Sequence, residues 1–398
     1  VLDDVTEACG VIGLYGRGLD VARLAYYGLI AMQHRGQESA GIAVGDDILV
    51  HHNGGSGLVQ QVIGEPELAG LQGHVAVGHV RYATAGGCAA ANIQPLPGST
   101  ALGHDFALAH NGNLTGIDER TELSYLGGSA RDGIGVADTQ ELVATLSEEL
   151  DDVPGALRAV LPRVRGAFSI VVASPRAVYA ARDPQGFRPL CLGRVDDGWM
   201  IASETVALES VGAVLVREVE AGELVTIDGD GPRAERFTDA RPAPCASERI
   251  YFARQDSLMG GIRVQHMRHA MGRALAREAP AAADVVIPVP DTARPAAMGY
   301  AAATGPALRG GPGPQHVPGT DVHPAAGRRP PDGRAAEMNP LPEVVAGRRV
   351  AVVDDSIVRA NSIREVVAML RDAGAREVHV RVASPPVRWP CYFGVDKP

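Results

Sequence analysis

The pattern of apolar residues changes partway along the chain, and that change limits the folds open to it. From Cys9 to about Thr238, short β-type runs alternate with turn signals and a few helical stretches: CGVIGLYG, GIAVG, HVAVGHVRYAT, FALAHNGNL, FSIVVAS and AVYAARD. Such a segment reads as a layered α+β domain built on antiparallel strands. RPAPCASE, from Arg241 to Glu248, breaks the pattern and marks a boundary. Beyond it, single buried strands are each followed by a helix, as in ADVVIPVPD and then RRVAVVDD with a helix starting near Ser362. Ile363, Val366, Val367 and Leu370 recur there at helical spacing, and Gly374 is placed to end the helix. Val378, Val380 and Val382 then alternate, so strand, helix and strand form a right-handed parallel unit. Ligands of such sheets bind at the carboxyl ends of strands, which is where Asp354 and Asp355 fall. At 398 residues the chain exceeds what one hydrophobic core usually serves, in keeping with two domains.

Composition excludes several classes. With 45% hydrophobic and 21% charged residues, and no apolar run of the roughly 18 residues a membrane helix needs, a cytoplasmic enzyme with no membrane partner is expected. A net charge of -10 with both signs interspersed argues against a nucleic-acid partner, which normally calls for a basic face. Cys9, Cys88, Cys191, Cys245 and Cys391 are too few and too scattered for a secreted disulfide framework. The chain begins at Val1, and VLDDVTEA lacks the regions of a signal peptide, so residues 1–8 read as a propeptide or as part of an incomplete end.

A thiol attacks well only as a thiolate, so a catalytic cysteine needs a base or an electropositive neighbour. Cys9 has no nearby histidine in sequence, but it precedes the small-residue strand Gly10-Val11-Ile12-Gly13. If the preceding residues were cut away, the freed α-amine, with a reference pKa near 8, would serve as the base. Taken alone, the Cys-Gly pair reads equally as a buried apolar cysteine.

Around it stand QHRGQESAGIA (33–43), GHVRYATAG (78–86) and AHNGNL (109–114). Together with the Cys9 segment, these motifs resemble the amidotransferases with an amino-terminal nucleophile, and specifically the glutamine phosphoribosylpyrophosphate amidotransferase family. The resemblance covers nearly the whole chain. It implies an αββα glutaminase domain over 9–240, followed by an α/β type I phosphoribosyltransferase domain with a mostly parallel sheet over 241–398, incomplete at its carboxyl end. Cys9 is then the nucleophile, Asn111 and Gly112 the oxyanion hole, Arg81 the partner of the glutamine α-carboxylate and Asp138 that of the α-ammonium. His110 is a structural neighbour. The residues alone leave open that Arg81 and Asp138 are surface charges and that Asn111-Gly112 is a hairpin turn. Glucosamine-6-phosphate synthase and others of the wider fold share this half but attach another synthase domain, so the second half decides.

There, VAVVDDSIVRANSI resembles the phosphoribosylpyrophosphate motif, a strand ending in two acidic residues and a loop that opens a helix. The resemblance implies that Asp354, Asp355, Ser356, Arg359, Ala360, Asn361 and Ser362 bind phosphoribosylpyrophosphate, and that Thr292, Asp354 and Asp355 lie by Mg²⁺. A solvated Asp-Asp turn is the plainer alternative. The family loop is Arg-Gly-Thr-Thr, whereas this chain has Arg359-Ala360-Asn361-Ser362, and Ala is costly wherever positive φ is required.

The segment 306–337 lacks a periodic apolar face and does not match the family's substrate-closing loop. TDVHPA (320–325) read one nucleotide later can encode Arg-Thr-Phe-Ile-Gln-Pro, which suggests a pair of compensating frame shifts. Cys245 and Cys391 match two of the four ligands of a [4Fe-4S] cluster in the family's iron-sulfur class; Cys88 and Cys191 are assigned no role beyond structure. The implied partners are glutamine, phosphoribosylpyrophosphate, purine nucleotides as feedback inhibitors and three further copies in a homotetramer. A glutaminase with a defective transferase half and a non-catalytic nucleotide-binding relic are the rival readings.

Overall fold

The computed structural model describes residues 9–48, 50–82, 90–117, 138–305, 307–308, 340–357, 360–389, 391 and 393. Residues 1–8, Cys88, Arg359 and all of 306–337 except the backbone at Ala307–Leu308 lie outside the described residues. Two compact units divide the chain: one runs to Glu248 and takes in Phe252–Gly260, the other comprises Arg249–Tyr251 and Gly261–Trp389.

The first unit holds strands β1 (Gly10–Tyr15), β2 (Ser39–Gly45), β3 (Val50–Ser56), β4 (Val75–Arg81), β5 (Leu96–Ser99), β6 (Asp105–Ile117), β7 (Val164–Ala173), β8 (Val178–Arg182), β9 (Cys191–Val195), β10 (Gly198–Ala202), β11 (Val214–Glu218), β12 (Glu223–Asp228), β13 (Gly231–Arg236) and the short β14 (Leu258–Met259). Its helices are α1 (Val21–Ala31), α2 (Val59–Val62), α3 (Glu65–Gly70), α4 (Asp138–Glu148), α5 (Val153–Val160) and α6 (Thr205–Ser210). Antiparallel pairing builds a seven-stranded sheet, β11-β9-β10-β1-β4-β2-β3, and a six-stranded one, β13-β12-β8-β7-β6-β5.

Alternation along the strands stacks these sheets into layers. Val11, Val75 and Val77 of the larger sheet pack against Ala107, Ala109 and Val171 of the smaller one. Ile12, Leu14 and Val80 face the other way, onto Leu29 of α1 and Val59 of α2. Phe106 and Leu108 likewise turn away, onto Leu142 and Leu146 of α4 and Leu157 of α5. The result is the expected helix-sheet-sheet-helix arrangement. Gly13 lets the sheets approach, since a Cβ there would lie 2.7 Å from Val171 Cγ1. Helix starts are locally encoded: the Asp20 side chain caps α1 by accepting from the Arg23 N–H at 3.0 Å, and Asp152 caps α5 by accepting from the Gly155 N–H at 2.9 Å.

The second unit contains β15 (Ile262–Arg263), α7 (Val264–Glu278), β16 (Val285–Pro288), α8 (Arg294–Thr304), β17 (Ala307–Leu308), α9 (Pro342–Val345), β18 (Arg349–Asp354), α10 (Asn361–Asp372) and β19 (Glu377–Val382). A parallel sheet in the order β17-β16-β18-β19 forms its centre. Val286, Ala351 and Val353 pack on Ala297 and Tyr300 of α8, whereas Val285, Val350 and Val352 pack on Ile363, Val366 and Leu370 of α10. A strand buried on both faces has to be apolar throughout, which is why VAVV reads as an unbroken run. The helix expected from Ser362 begins one residue earlier, and it ends before Gly374 at φ +90°. Val378 and Val380 are only half-buried because β19 is an edge strand. Among the described residues no helix is long and apolar enough to cross a membrane.

Candidate active site

Cys9 immediately precedes β1, and the register of β1 on β4, Gly10 opposite Val80, carries it opposite Arg81. Its Sγ donates to the Tyr82 carbonyl at 3.8 Å, and its own carbonyl accepts from Arg35 Nε at 3.0 Å. Arg35 is wholly buried and ion-paired on both sides, with Nη1 2.5 Å from Glu204 Oε1 and Nη2 2.8 and 2.9 Å from the two Glu248 oxygens. Glu204 also accepts from Ser257 Oγ at 2.5 Å and the Arg254 N–H at 2.9 Å, and His34 Nε2 lies 2.9 Å away. Burial alone would raise the Glu204 pKa; the His34 and Arg35 charges more than offset this and hold it below the usual carboxylate range. The backbone of Cys9 is thus moored to a buried ion network. Sequence reasoning missed Arg35, though one signal was there: an arginine between His34 and Gly36 inside the motif.

Arg81 is 6% exposed, so it is no surface charge. Odd-numbered residues of β1, β4 and β6 face the layer between the sheets, as Val11, Val77 and Ala109 show. Cys9, Arg81 and Asn111 continue those rows at the same end. His79, two residues before Arg81, spans the layer, its Nε2 lying 3.0 Å from the His110 carbonyl. Asn111 is 1% exposed, and neither its Nδ2 nor its Oδ1 has a hydrogen-bond partner among the described residues. A buried carboxamide left in that state costs free energy unless a ligand meets it. Asn111 and Gly112 sit within β6, which rules out the hairpin turn. Gly112 has φ +147°, and a Cβ there would fall 1.9 Å from the Ala167 carbonyl oxygen, so only glycine fits. Asp138 opens α4, where the helix dipole favours a carboxylate. Its oxygens accept from the Leu114 N–H at 2.8 Å and from the Thr139 N–H at 2.8 Å.

In the second unit, Asp354 ends β18 and accepts from the Asp355 N–H at 2.9 Å. Asp355 is 6% exposed, not a solvated turn residue. It accepts from Ser356 Oγ at 2.6 Å and, very closely, from Thr292 Oγ1. Burial pushes its carboxyl pKa up, opposed by those two hydroxyls and by the charge of Arg268. Ala360 takes the left-handed conformation, φ 62° and ψ 5°, at the cap of α10, and Ser362 lies in that helix's first turn.

The oxygen donors of Thr292, Asp354 and Asp355 suit a hard cation such as Mg²⁺. The cluster is different. Cys245 is half-buried, its thiol pushed up first by burial and then by Glu248; Cys391 is exposed, and its Sγ accepts from the Phe393 N–H at 3.4 Å. Such a cluster takes four thiolates, of which Cys245 and Cys391 would supply two, and no group of three or more His, Cys, Asp or Glu suited to a metal stands together among the described residues. Cys191 is buried, donates to the Ala202 carbonyl at 3.2 Å and has its pKa raised by burial, all in keeping with a structural role.

Residues 79–210 match the family described as "Glutamine amidotransferase domain", which sets the class of the first unit. Over its whole length the chain is 47% identical to the amidophosphoribosyltransferase of Mycobacterium tuberculosis, spanning 76% of that protein. Its fold matches a solved "allosteric regulatory enzyme of purine biosynthesis" at 38% identity and TM-score 0.86, covering 98% of this chain and 83% of that one. The Bacillus subtilis glutamine phosphoribosylpyrophosphate amidotransferase complexed with ADP and GMP matches at 38% identity and TM-score 0.85, covering 98% and 84%. The chain belongs to the amidophosphoribosyltransferase family.

Proposed function

We propose that the chain converts phosphoribosylpyrophosphate, glutamine and water into 5-phosphoribosylamine, glutamate and pyrophosphate, the first step of de novo purine synthesis. Its glutaminase domain is 9–240 and its transferase domain 241–398. The observation that carries the first half is the unsatisfied Asn111 carboxamide at the same end of the inter-sheet layer as Cys9 and Arg81.

In this reading the Cys9 thiolate attacks the glutamine carboxamide carbon, and the new oxyanion meets Asn111 Nδ2 and the Gly112 N–H. Collapse releases ammonia and leaves a γ-glutamyl thioester; water cleaves it to glutamate and restores the thiol. Arg81 holds the α-carboxylate and Asp138 the α-ammonium. If residues 1–8 are removed, the α-amine of Cys9 takes up and returns the proton. Ser356, Arg359, Ala360, Asn361 and Ser362 bind the phosphoribosyl substrate beside Asp354, Asp355 and Thr292. These last three would hold Mg²⁺, which when bound stabilises the pyrophosphate leaving group.

The solved relative complexed with ADP and GMP supports purine-nucleotide binding by this chain, which we read as feedback inhibition. The family resemblance supports a homotetramer, and the composition a place in the cytoplasm. Cys245 and Cys391 would hold one side of a [4Fe-4S] cluster, whose other two thiolates lie outside residues 1–398. A second reading, a glutaminase with an impaired transferase half, is favoured by Ala360 in a conformation that suits glycine.

One experiment separates these readings: phosphoribosylamine formation with Mg²⁺ and phosphoribosylpyrophosphate, driven by glutamine or by ammonia, in the parent and in Cys9→Ala. We expect the variant to lose the glutamine-driven reaction and keep the ammonia-driven one. A parent that hydrolyses glutamine but is inactive with ammonia decides for the second reading. A Cys9→Ala protein that still uses glutamine refutes the nucleophile.

A further inference from the structure

Behind the Asn111 strand lies a polar cluster that the mechanism above does not use. Side chains alternate in β6, so Asn111 faces the inter-sheet layer while His110 faces α4. The His110 N–H donates to Gln94 Oε1 at 2.7 Å, and its carbonyl accepts from His79 Nε2 at 3.0 Å. Burial holds the His79 pKa down to about 3, so its ring is neutral. On the helix side, Thr139 Oγ1 stands 3.1 Å from His110 Nδ1, 3.1 Å from Gln94 Nε2 and 3.3 Å from Asp138 Oδ1. His79, Gln94, His110 and Thr139 are all buried. A hydroxyl has one proton and two lone pairs, so three partners use its whole capacity. Gln94 gives a proton to it, and His110 and Asp138 take up the remaining valences. Removing that oxygen would leave several buried polar groups facing carbon at once.

We propose that Thr139 is a positioning residue for glutamine turnover. Its hydroxyl, with Gln94 and His110, braces the Asn111-Gly112 strand against Asp138. The residues that would meet the two ends of glutamine, the carboxamide oxygen and the α-ammonium, then keep one spacing. None of the bracing side chains touches substrate. The inference rests on the glutaminase reading given above.

The test compares Thr139→Val, which keeps the shape and deletes the hydroxyl, with Thr139→Ser, which keeps the hydroxyl. We expect Thr139→Val to lower kcat/KM for glutamine about tenfold or more, with KM raised and kcat lowered together. Its ammonia-driven activity should stay within about twofold of the parent, and Thr139→Ser should restore glutamine use to within about threefold. Should Thr139→Val not fold, Gln94→Met takes its place, with the same direction expected. The proposal is overturned if glutamine kcat/KM is unchanged, if Thr139→Ser is as impaired as Thr139→Val, or if the ammonia-driven reaction falls in step. Asn111→Ala and Asp138→Ala separate the two levels of the argument. If both leave glutamine turnover intact, the glutaminase assignment falls; if both lose it while Thr139→Val does not, only the brace falls.

Discussion

The two units prepare their candidate sites in opposite ways. In the first, the polar groups sit on or beside strands fixed by pairing on both sides, and the Asn111 carboxamide is buried with neither its oxygen nor its nitrogen hydrogen-bonded among the described residues. In the second, two carboxylates lie at the end of one strand, one of them buried with its pKa pushed up, next to a loop residue in a left-handed conformation. The contrast follows from chemistry. An oxyanion hole works by donors already in place, so its cost is met during folding. In the second unit it is burial that disfavours the charged form of Asp355, against the hydroxyls of Ser356 and Thr292 and the charge of Arg268, so a bound cation would add to the groups that hold it ionised.

Breaking the first arrangement should have the largest effect. Arg35→Ala removes the cation that Glu204 and Glu248 share, leaving Glu204 with His34 and Glu248 with Arg188, and frees the Cys9 carbonyl; it is expected to cost about 3 kcal/mol of stability. Denaturant unfolding measures this; a loss under about 1 kcal/mol would mean the network is not what fixes the nucleophile. Asn111→Ala comes next. Glutamine-driven kcat is expected to drop about 10²–10³-fold with little change in KM for glutamine, because the interaction forms only in the transition state. A rise in KM at constant kcat would instead make Asn111 a substrate-binding group.

His79 adds a dependence on pH. Its folded-state pKa, about 3, lies below the unfolded value of about 6.5, so its contribution is complete above pH 6.5 and lost as pH falls towards 3. Unfolding free energies from urea titrations at pH 7, 6 and 5 should decline with a slope approaching about 1.4 kcal/mol per pH unit from this residue, and His79→Gln should flatten it. An unchanged slope in the variant would show that His79 does not stay neutral.

The smallest effect sharpens the other side of the comparison. Ala360→Gly relieves left-handed strain, so it should stabilise the protein by about 1 kcal/mol and lower KM for phosphoribosylpyrophosphate in the ammonia-driven reaction. If stability rises and KM stays put, the strain belongs to the fold and not to substrate binding.

Much of this was legible in sequence because it is local. Strand and helix spacing told the antiparallel region from the parallel one, the VAVV run announced a strand buried on both faces, and Asp354-Asp355 fell at its end. The Ala360 departure was visible as a letter, and its φ of 62° gives that letter a physical consequence. Arg35 was not legible as the holder of the Cys9 carbonyl, nor Thr139 as a common partner of Gln94 and His110. Those roles depend on partners 26 to 45 residues away in the chain.

By itself, then, the sequence determined which segments become strands and helices, where the layers divide, and which residue types stand ready for thiol and phosphate chemistry, since short-range periodicity and turn chemistry decide these. Only the tertiary structure decided that Cys9, Arg81 and Asn111 share one end of the inter-sheet layer, that Asn111 is buried without a partner, and that Arg35 and Glu248 neutralise each other out of water. Each of those depends on strand register and on desolvation, which exist only once distant segments have packed.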